Sequence, residues 1–247
     1  MPMLDIVIPV YNEGGNILPF MASLRASVRT PFRIFVCYDH EEDSTLVALR
    51  EAAPASLPAW VPVRNAGSGA HAAVLTGLRA STAPAVLVMP ADDLINAVII
   101  DELVRRFEDG CDVAVPSRFM RGGEMTGFPF HKALFVRVAS LTLYYLGRLP
   151  VHDATNGFRL FSRRVLEIPI ESSKGFSYSI ELLAKCHRLG WRISEIPAVV
   201  RERTHGKSRF RLWGWLPEYL RWYRYIFATT WLGRRSECQL GGASSPC

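Results

Sequence analysis

Short apolar runs alternate with stretches of helical period from Leu4 to Val115, and this alternation restricts the fold more than any other feature. Strands are predicted at Leu4–Val10, Phe32–Tyr38, Trp60–Val63, Ala85–Met89 and Asp112–Val115. Helices are predicted between them at Gly15–Val28, Asp43–Ala53, Ala70–Ala80 and Ile95–Glu108. Strand–helix alternation at this spacing means βαβ units and a mostly parallel sheet with helices on both faces. Such sheets bind ligands beyond the carboxyl ends of their strands. Polar residues fall there three times: Tyr11-Asn12-Glu13, Asp39 and Asp92-Asp93. Asp and Asn also favour turns and helix caps. Their recurrence at three strand ends points to a site.

The pattern changes from Ser117. Arg118–Thr126 reads as a Gly- and Arg-containing loop, Phe130–Leu146 as a helix with few charges, and Asp153–Phe161 as a turn into a strand. A helix at Phe176–Leu189, strand-like runs at Arg192–Ile196 and Ala198–Glu202, and a polar loop at Thr204–Arg209 follow. Leu212–Leu232 is helical and aromatic, and the last dozen residues are expected to be disordered. The chain carries a net +6, and residues 201–247 hold 9 basic against 3 acidic side chains, so all of the surplus lies there. Four of the six Trp lie there too. A basic, aromatic tail on a neutral body suggests an anionic partner met at one end, and argues against a nucleic-acid binder whose charge lines its main fold.

Cys37, Cys111, Cys186, Cys238 and Cys247 form no C-x-x-C pair, which disfavours a disulfide scaffold or structural zinc site and fits a reducing compartment. The N-terminus enters a strand with no basic leader, so no signal peptide is expected. No apolar run approaches the ~20 residues that cross a bilayer. The longest, Leu216–Leu232, is broken by Glu218, Arg221 and Arg224. A cytoplasmic protein is expected. Carboxylates just past a buried strand suit a divalent cation that bridges a bound diphosphate, because Mg²⁺ takes one or two carboxylates plus phosphate oxygens. Asp92 is the candidate ligand, and Asp93 is the candidate cap of the following helix or a second ligand.

An ordered set of motifs gives these positions a family. Ile6-Val7-Ile8-Pro9-Val10-Tyr11-Asn12-Glu13, Asp39 with Asp43 and Thr45, and Asn65-Ala66-Gly67-Ser68-Gly69 resemble the nucleotide-binding turns of family 2 glycosyltransferases of GT-A fold. Asp153-Ala154-Thr155-Asn156-Gly157-Phe158-Arg159 is similar to the signature of the dolichol- or polyprenyl-phosphate mannosyltransferase branch. Gly175-Phe176-Ser177-Tyr178 and Arg203-Thr204-His205-Gly206-Lys207-Ser208-Arg209 complete the set.

The resemblance implies a GT-A, Rossmann-like domain over residues 1–209; the interleaved arginines and aromatics of 210–235 fit an amphipathic, membrane-interfacial helix or else a core-packing helix with a solvated arginine face, and 236–247 is expected to be a disordered tail. The resemblance also implies sugar transfer, with inversion, from GDP-mannose or a UDP-hexose to a polyprenyl or dolichyl phosphate on the cytoplasmic face of a membrane. Pro9, Tyr11, Asn12, Glu13, Asp39, Gly69 and Asp92 are the implied nucleotide-sugar residues, with Asp92 and Asp93 as ligands of Mg²⁺ or Mn²⁺. Arg118, Lys132, Arg203, Ser208 and Arg209 are the implied phosphate-binding set, and Asp92, Arg118 and Asp153 the implied catalytic set. Guanidinium suits phosphate because its planar fork bonds two oxygens at once.

Three positions depart from the pattern. Pro90 stands at the first position of the Asp-x-Asp motif and Tyr38 at the first Asp of the second-strand pair, so weak metal binding through Asp92 and the diphosphate, a different donor preference or a loss of activity is expected. Val136 also replaces a serine expected near the acceptor phosphate. A saccharide hydroxyl acceptor, with Asp153 or Glu181 as base, is the alternative activity, and a non-catalytic nucleotide-sugar binder is the alternative class.

Overall fold

Strand β1 (Leu4–Pro9) is apolar on both sides, as a strand sandwiched between two helical layers must be. Leu4, Ile6 and Ile8 belong to one core cluster and Val7 to the other. The computed structural model describes residues 3–201 and 212–231. In chain order β1 leads to α1 (Gly14–Ser27), β2 (Phe32–Tyr38), α2 (Ser44–Glu51), β3 (Trp60–Arg64), α3 (Gly69–Ala80), β4 (Ala85–Val88), α4 (Ile100–Glu108) and β5 (Val113–Ser117). Then come β6 (Glu124–Thr126), α5 (Phe130–Tyr145), β7 (Arg159–Ser162), α6 (Ser177–Arg188), β8 (Ile193–Pro197), β9 (Val199–Arg201) and α7 (Leu212–Trp231).

Seven strands form one sheet in the order β3-β2-β1-β4-β7-β5-β8, with β7 antiparallel to both β4 and β5 and the other pairs parallel. Helices α1, α2 and α4 cover one face through Phe20, Leu24, Leu46 and Leu103. Helices α3, α6 and α7 cover the other through Val74, Leu182, Trp222 and Ile226, joined by Leu143 of α5. The expected α/β sheet with helices on both faces is therefore the observed one.

Three details refine the sequence expectation. The helix predicted from Ile95 begins as a 3₁₀ turn, Asn96–Ile99, before α4. The loop after Ser117 contains β6, which pairs in parallel with β9 in a separate two-stranded sheet. Helix α7, expected to be amphipathic, seats Trp222 and Ile226 in the core, each 2% exposed, and leaves Leu220 and Trp231 50 and 57% exposed. Its Thr230 hydroxyl donates to the Gly147 carbonyl at 3.0 Å and its Trp231 indole N–H to the Leu146 carbonyl at 2.9 Å, so it is docked at the end of α5. The expected tail at 236–247 and the phosphate-binding loop at 203–209 lie outside the described residues.

Helix α3 approaches the sheet at Gly77, where a Cβ would stand 2.4 Å from Val7 Cγ1 and 2.6 Å from Cys37 Sγ. Gly77→Ala is expected to cost about 1–3 kcal/mol by overpacking, despite alanine's better helix propensity. A urea midpoint equal to or above that of the unsubstituted protein would contradict this.

Candidate functional site: the carboxyl ends of the strands

The turn after β1 is built around an unusual backbone. Asn12 has φ +56°, a left-handed conformation that Asn tolerates better than most residues. Its N–H donates to both Asp43 carboxylate oxygens, at 3.0 and 3.1 Å, and its Oδ1 accepts the Ser44 N–H at 3.2 Å. The Glu13 N–H donates to the Thr45 hydroxyl at 2.9 Å. Asp43 also caps α2 through the Thr45 N–H at 2.8 Å. Asn12 and the retained Asp43 and Thr45 thus latch the first turn to the second. This leaves Tyr11 exposed at the strand end, its ring edge-on to His40 at 5.4 Å.

Asp39, at the end of β2, is tied to the loop after β3. It accepts the Asn65 amide at 2.7 Å and the Gly69 N–H at 2.9 Å. Gly69 opens α3 with φ +81°, which only glycine adopts without strain. His71, one turn into α3, sets its ring nitrogens 3.0 and 2.9 Å from the carbonyl oxygens of Gly175 and Ser172. The loop before α6 is thereby held beside the start of α3. Pro9, Tyr11, Asn12, Glu13, Asp39 and Gly69 all lie at the carboxyl ends of β1, β2 and β3, where the sequence places them.

Asp92 lies half-buried past the end of β4. Its neighbour Asp93 is otherwise engaged: the Asn96 amide donates to both its oxygens at 2.9 and 2.7 Å, and the Asn96 N–H adds a third bond at 3.0 Å. Burial raises the Asp93 carboxyl above its ordinary pKa, against the effect of these donors. The cap reading of Asp93 is the one its contacts match. Among the described residues no group of three or more His, Cys, Asp or Glu gathers as a metal cage. Asp92 is a hard oxygen donor. That donor set fits a cation carried in by a diphosphate, which supplies the remaining oxygens, and does not fit a resident ion held by protein alone.

The signature at Asp153–Arg159 folds into a buried ionic knot. Arg118 donates to Asp153 from its backbone N–H at 3.0 Å, from Nε at 2.6 Å and from Nη2 at 2.8 Å. Asp153 is 0% exposed and the Arg118 side chain 11%. Burial pushes the Asp153 carboxyl up, but the Arg118 charge and hydrogen bonds outweigh it and hold the group below its usual range. Arg118 Nη2 also donates to the Thr155 hydroxyl at 3.0 Å, which lies 2.9 Å from Ser140 of α5. Arg159 is fully buried, donating to the carbonyls of Ser179 at 2.5 Å and Ala154 at 3.2 Å. Burial lowers its pKa to about 10, with the Asp153 charge opposing.

These contacts change two expectations. Asp153 has both oxygens committed to Arg118, so it positions Arg118 and the signature loop rather than meeting substrate as a base. Glu181 is 0% exposed and accepts the Glu171 N–H at 2.7 Å, the Ser172 N–H at 2.8 Å and Lys185 Nζ at 2.6 Å. It is equally closed to a substrate hydroxyl. Lys132 sits in the first turn of α5, its Nζ 5.1 Å from the Phe128 ring. Arg203, Ser208 and Arg209 lie outside the described residues. Sequence reading missed Asn96 and His71; the Asp93–Asn96 spacing of three residues was the available signal for the first, and nothing in the sequence signalled the second.

Comparison with known proteins agrees with this architecture. Polyprenol monophosphomannose synthase of Mycolicibacterium smegmatis is 30% identical over 214 residues, 83% of this chain and 79% of that one. Dolichol-phosphate mannosyltransferase of Pyrococcus furiosus is 25% identical over 84% of this chain, which spans 59% of that longer protein. Glucosyl-3-phosphoglycerate synthase of Mycobacterium tuberculosis, crystallised with Mn²⁺, UDP and glucosyl-3-phosphoglycerate, superposes at a TM-score of 0.67 and 17% identity. That match covers 92% of this chain and 80% of the other and shows a shared GT-A fold. The family model described as "Glycosyl transferase family 2" matches residues 5–168, from β1 through the signature and into the turn after β7, and with the strand-end latches and the Asp153 knot it assigns this chain to the family 2 glycosyltransferases.

Proposed function

We propose that the protein transfers a sugar from a nucleoside-diphosphate sugar, GDP-mannose or a UDP-hexose, to a polyprenyl or dolichyl phosphate at a membrane surface, with inversion. The names of the two relatives support this reading. The observation that carries it is the closure of Asp153 and Glu181, the two carboxylates that the sequence offers as bases for a saccharide hydroxyl. Both are 0% exposed and fully bonded within the protein. A hydroxyl acceptor needs a base. A phosphate acceptor is already ionised at neutral pH and needs none. Tyr11 and Glu13 would face the base and ribose, with Asp39 fixing the loop that opens α3. Asp92, with the donor's diphosphate oxygens, would hold Mg²⁺ or Mn²⁺, which supplies positive charge against the leaving diphosphate. Arg118 adds charge near the acceptor phosphate while Asp153 keeps its fork fixed, and Arg203, Ser208 and Arg209 complete the phosphate contacts.

The membrane contact is better supported on α5 than on α7. Among the described residues no helix is long and apolar enough to cross a membrane. Residues 125–152 contain no Asp or Glu but do contain Lys132, Arg137 and Arg148. Phe130, Leu134, Val138 and Tyr145 fall on one stripe of the helical period and are 80, 47, 52 and 68% exposed. An apolar stripe bordered by Arg137, in a stretch without acidic side chains, is what an interfacial helix presents to anionic lipid. The triple variant Phe130→Ser, Leu134→Ser, Val138→Ser is expected to lower affinity for phosphatidylglycerol vesicles by ~tenfold or more. Unchanged co-sedimentation would remove α5 from the membrane reading.

The activity itself is tested by offering GDP- and UDP-sugars with a short-chain polyprenyl phosphate while Mn²⁺ is titrated. A lipid-phosphate sugar is the expected product. Transfer to saccharide hydroxyls alone would overturn the acceptor assignment. Donor binding in calorimetry without turnover would instead favour a non-catalytic binder, the reading that Pro90 motivates.

A further inference from the structure

His71 lies in the first turn of α3 and is 8% exposed. Its Nδ1 stands 3.0 Å from the Gly175 carbonyl oxygen and its Nε2 2.9 Å from the Ser172 carbonyl oxygen. A main-chain carbonyl can only accept a hydrogen bond. A neutral imidazole carries a single N–H, so at one of these contacts two lone pairs would face each other. Only the imidazolium, with a proton on each nitrogen, donates to both oxygens.

Both carbonyls belong to the loop that leads into α6. At its end Phe176 packs on Gly157 of the Asp153–Arg159 signature, where a Cβ would stand 2.9 Å from Phe176 Cδ1. Tyr178, its ring edge-on to His71 at 5.9 Å, donates its hydroxyl to the Gly157 carbonyl at 3.3 Å. On the other side of His71, Gly69 opens α3 with its N–H bonded to Asp39 at 2.9 Å. The ring thus stands between the turns at the ends of β2 and β3 and the signature. Other ionisable groups on the segments around it are Glu171 and Lys174 of the loop, Tyr178, Glu181 and Lys185 of α6, and Asp39 and Arg64 past or at the ends of β2 and β3. Of these, Lys185 pairs with Glu181 at 2.6 Å and Glu171 at 3.0 Å. We propose that His71 works as an imidazolium and is a positioning residue: its two donors staple the loop beside the signature to the start of α3, and release of one proton removes one of the two bonds. The proposal rests on the nucleotide-sugar reading above, in which the start of α3 meets the donor and the signature meets the acceptor.

The test uses the full 247-residue chain with its histidine ring nitrogens isotope-labelled for NMR, and UDP or GDP with Mn²⁺ as the ligand. The His71 signals are those missing from His71→Gln. At the pH of full turnover they are expected to show both nitrogens protonated. As pH rises through the midpoint at which one proton leaves, kcat of the unsubstituted protein is expected to fall ~tenfold or more while nucleoside-diphosphate affinity changes less than ~threefold, the pattern of lost alignment and not of lost binding. In His71→Gln one amide nitrogen replaces two ring donors, so kcat is expected to be ~10- to 100-fold low and to lose this limb of its pH profile. The Ser177 and Ser179 amides, which donate to the Lys174 and Phe176 carbonyls, are expected to exchange ~tenfold faster in that variant. Should it fold poorly, protection of the same two amides in the unsubstituted protein is followed across pH and is expected to fall at the midpoint of the kcat profile.

A neutral His71 ring at the pH of full turnover would overturn the imidazolium, and a pH limb that persists in His71→Gln would overturn the positioning role. If the unsubstituted protein transfers nothing to lipid phosphate, the acceptor assignment fails separately. Protection of residues 172–179 by UDP or GDP with Mn²⁺ then decides. Protection that is present below the His71 midpoint and absent both above it and in His71→Gln supports the proposal, and equal protection throughout overturns it.

Discussion

Asp153→Ala is expected to destabilise the protein by about 3–5 kcal/mol, the usual cost of removing one partner of a buried ion pair. The substitution strands the Arg118 guanidinium, 11% exposed, and leaves Arg159 buried without its nearest counter-charge. Three donors of Arg118 lose their acceptor together. The Thr155–Ser140 link to α5 loses its anchor as well, so the loss would not be confined to one loop. Urea unfolding measures it, and a cost below ~1 kcal/mol would show that the knot is not held by this pair.

The pH dependence has a definite sign. Asp153 is held below its ordinary pKa in the folded protein, so it releases its proton more readily there than in the unfolded chain. Its contribution is present in full above the unfolded value of about 4 and is lost as pH falls below it. The unsubstituted protein should therefore lose stability on acidification below about pH 4 more steeply than Asp153→Asn, in which that proton is no longer taken up.

Asp92→Ala is expected to lower kcat ~10²- to 10³-fold while leaving the unfolding midpoint nearly unchanged. Asp92 is half-buried at a strand end, and the bonds between Asp93 and Asn96, which the substitution leaves in place, hold its turn. Because Pro90 takes the other position of the Asp-x-Asp motif, Asp92 is the motif carboxylate that, on the proposed reading, would fix the charge facing the leaving diphosphate. Turnover across a Mn²⁺ titration is the measurement. Asp93→Asn is the contrast: it keeps an acceptor for Asn96, and its kcat should fall far less. Full activity in Asp92→Ala would remove the residue from the site, and equal losses in both variants would return Asp93 to the ligand set.

The fold was readable because buried parallel strands must be apolar along their whole length while the helices between them keep one apolar stripe. Leu4–Pro9 and Ala85–Val88 carry that signal without ambiguity. The turn residues were readable in place, though not in partner. Asn12 and Asp43 are 31 positions apart, and their bond exists because β1 and β2 lie side by side. The aromatic helix at the C-terminus was ambiguous for a related reason. Arginines and tryptophans on one helix suit either a membrane or a protein face, and composition does not distinguish the two.

By itself, the sequence determined the strand–helix order, the strand ends at which polar residues collect, and the family to which the Asp153–Arg159 signature points. Each of these depends on local periodicity or on a contiguous motif. Only the tertiary structure decided that Asp153 and Glu181 are sealed by partners, that Trp222 of α7 is core while Phe130 of α5 is surface, and that Asn96 spans to Val199. Those outcomes depend on which charges and surfaces meet after the chain has closed on itself. Burial and long-range pairing are properties of that closure, and no window of neighbouring residues contains them.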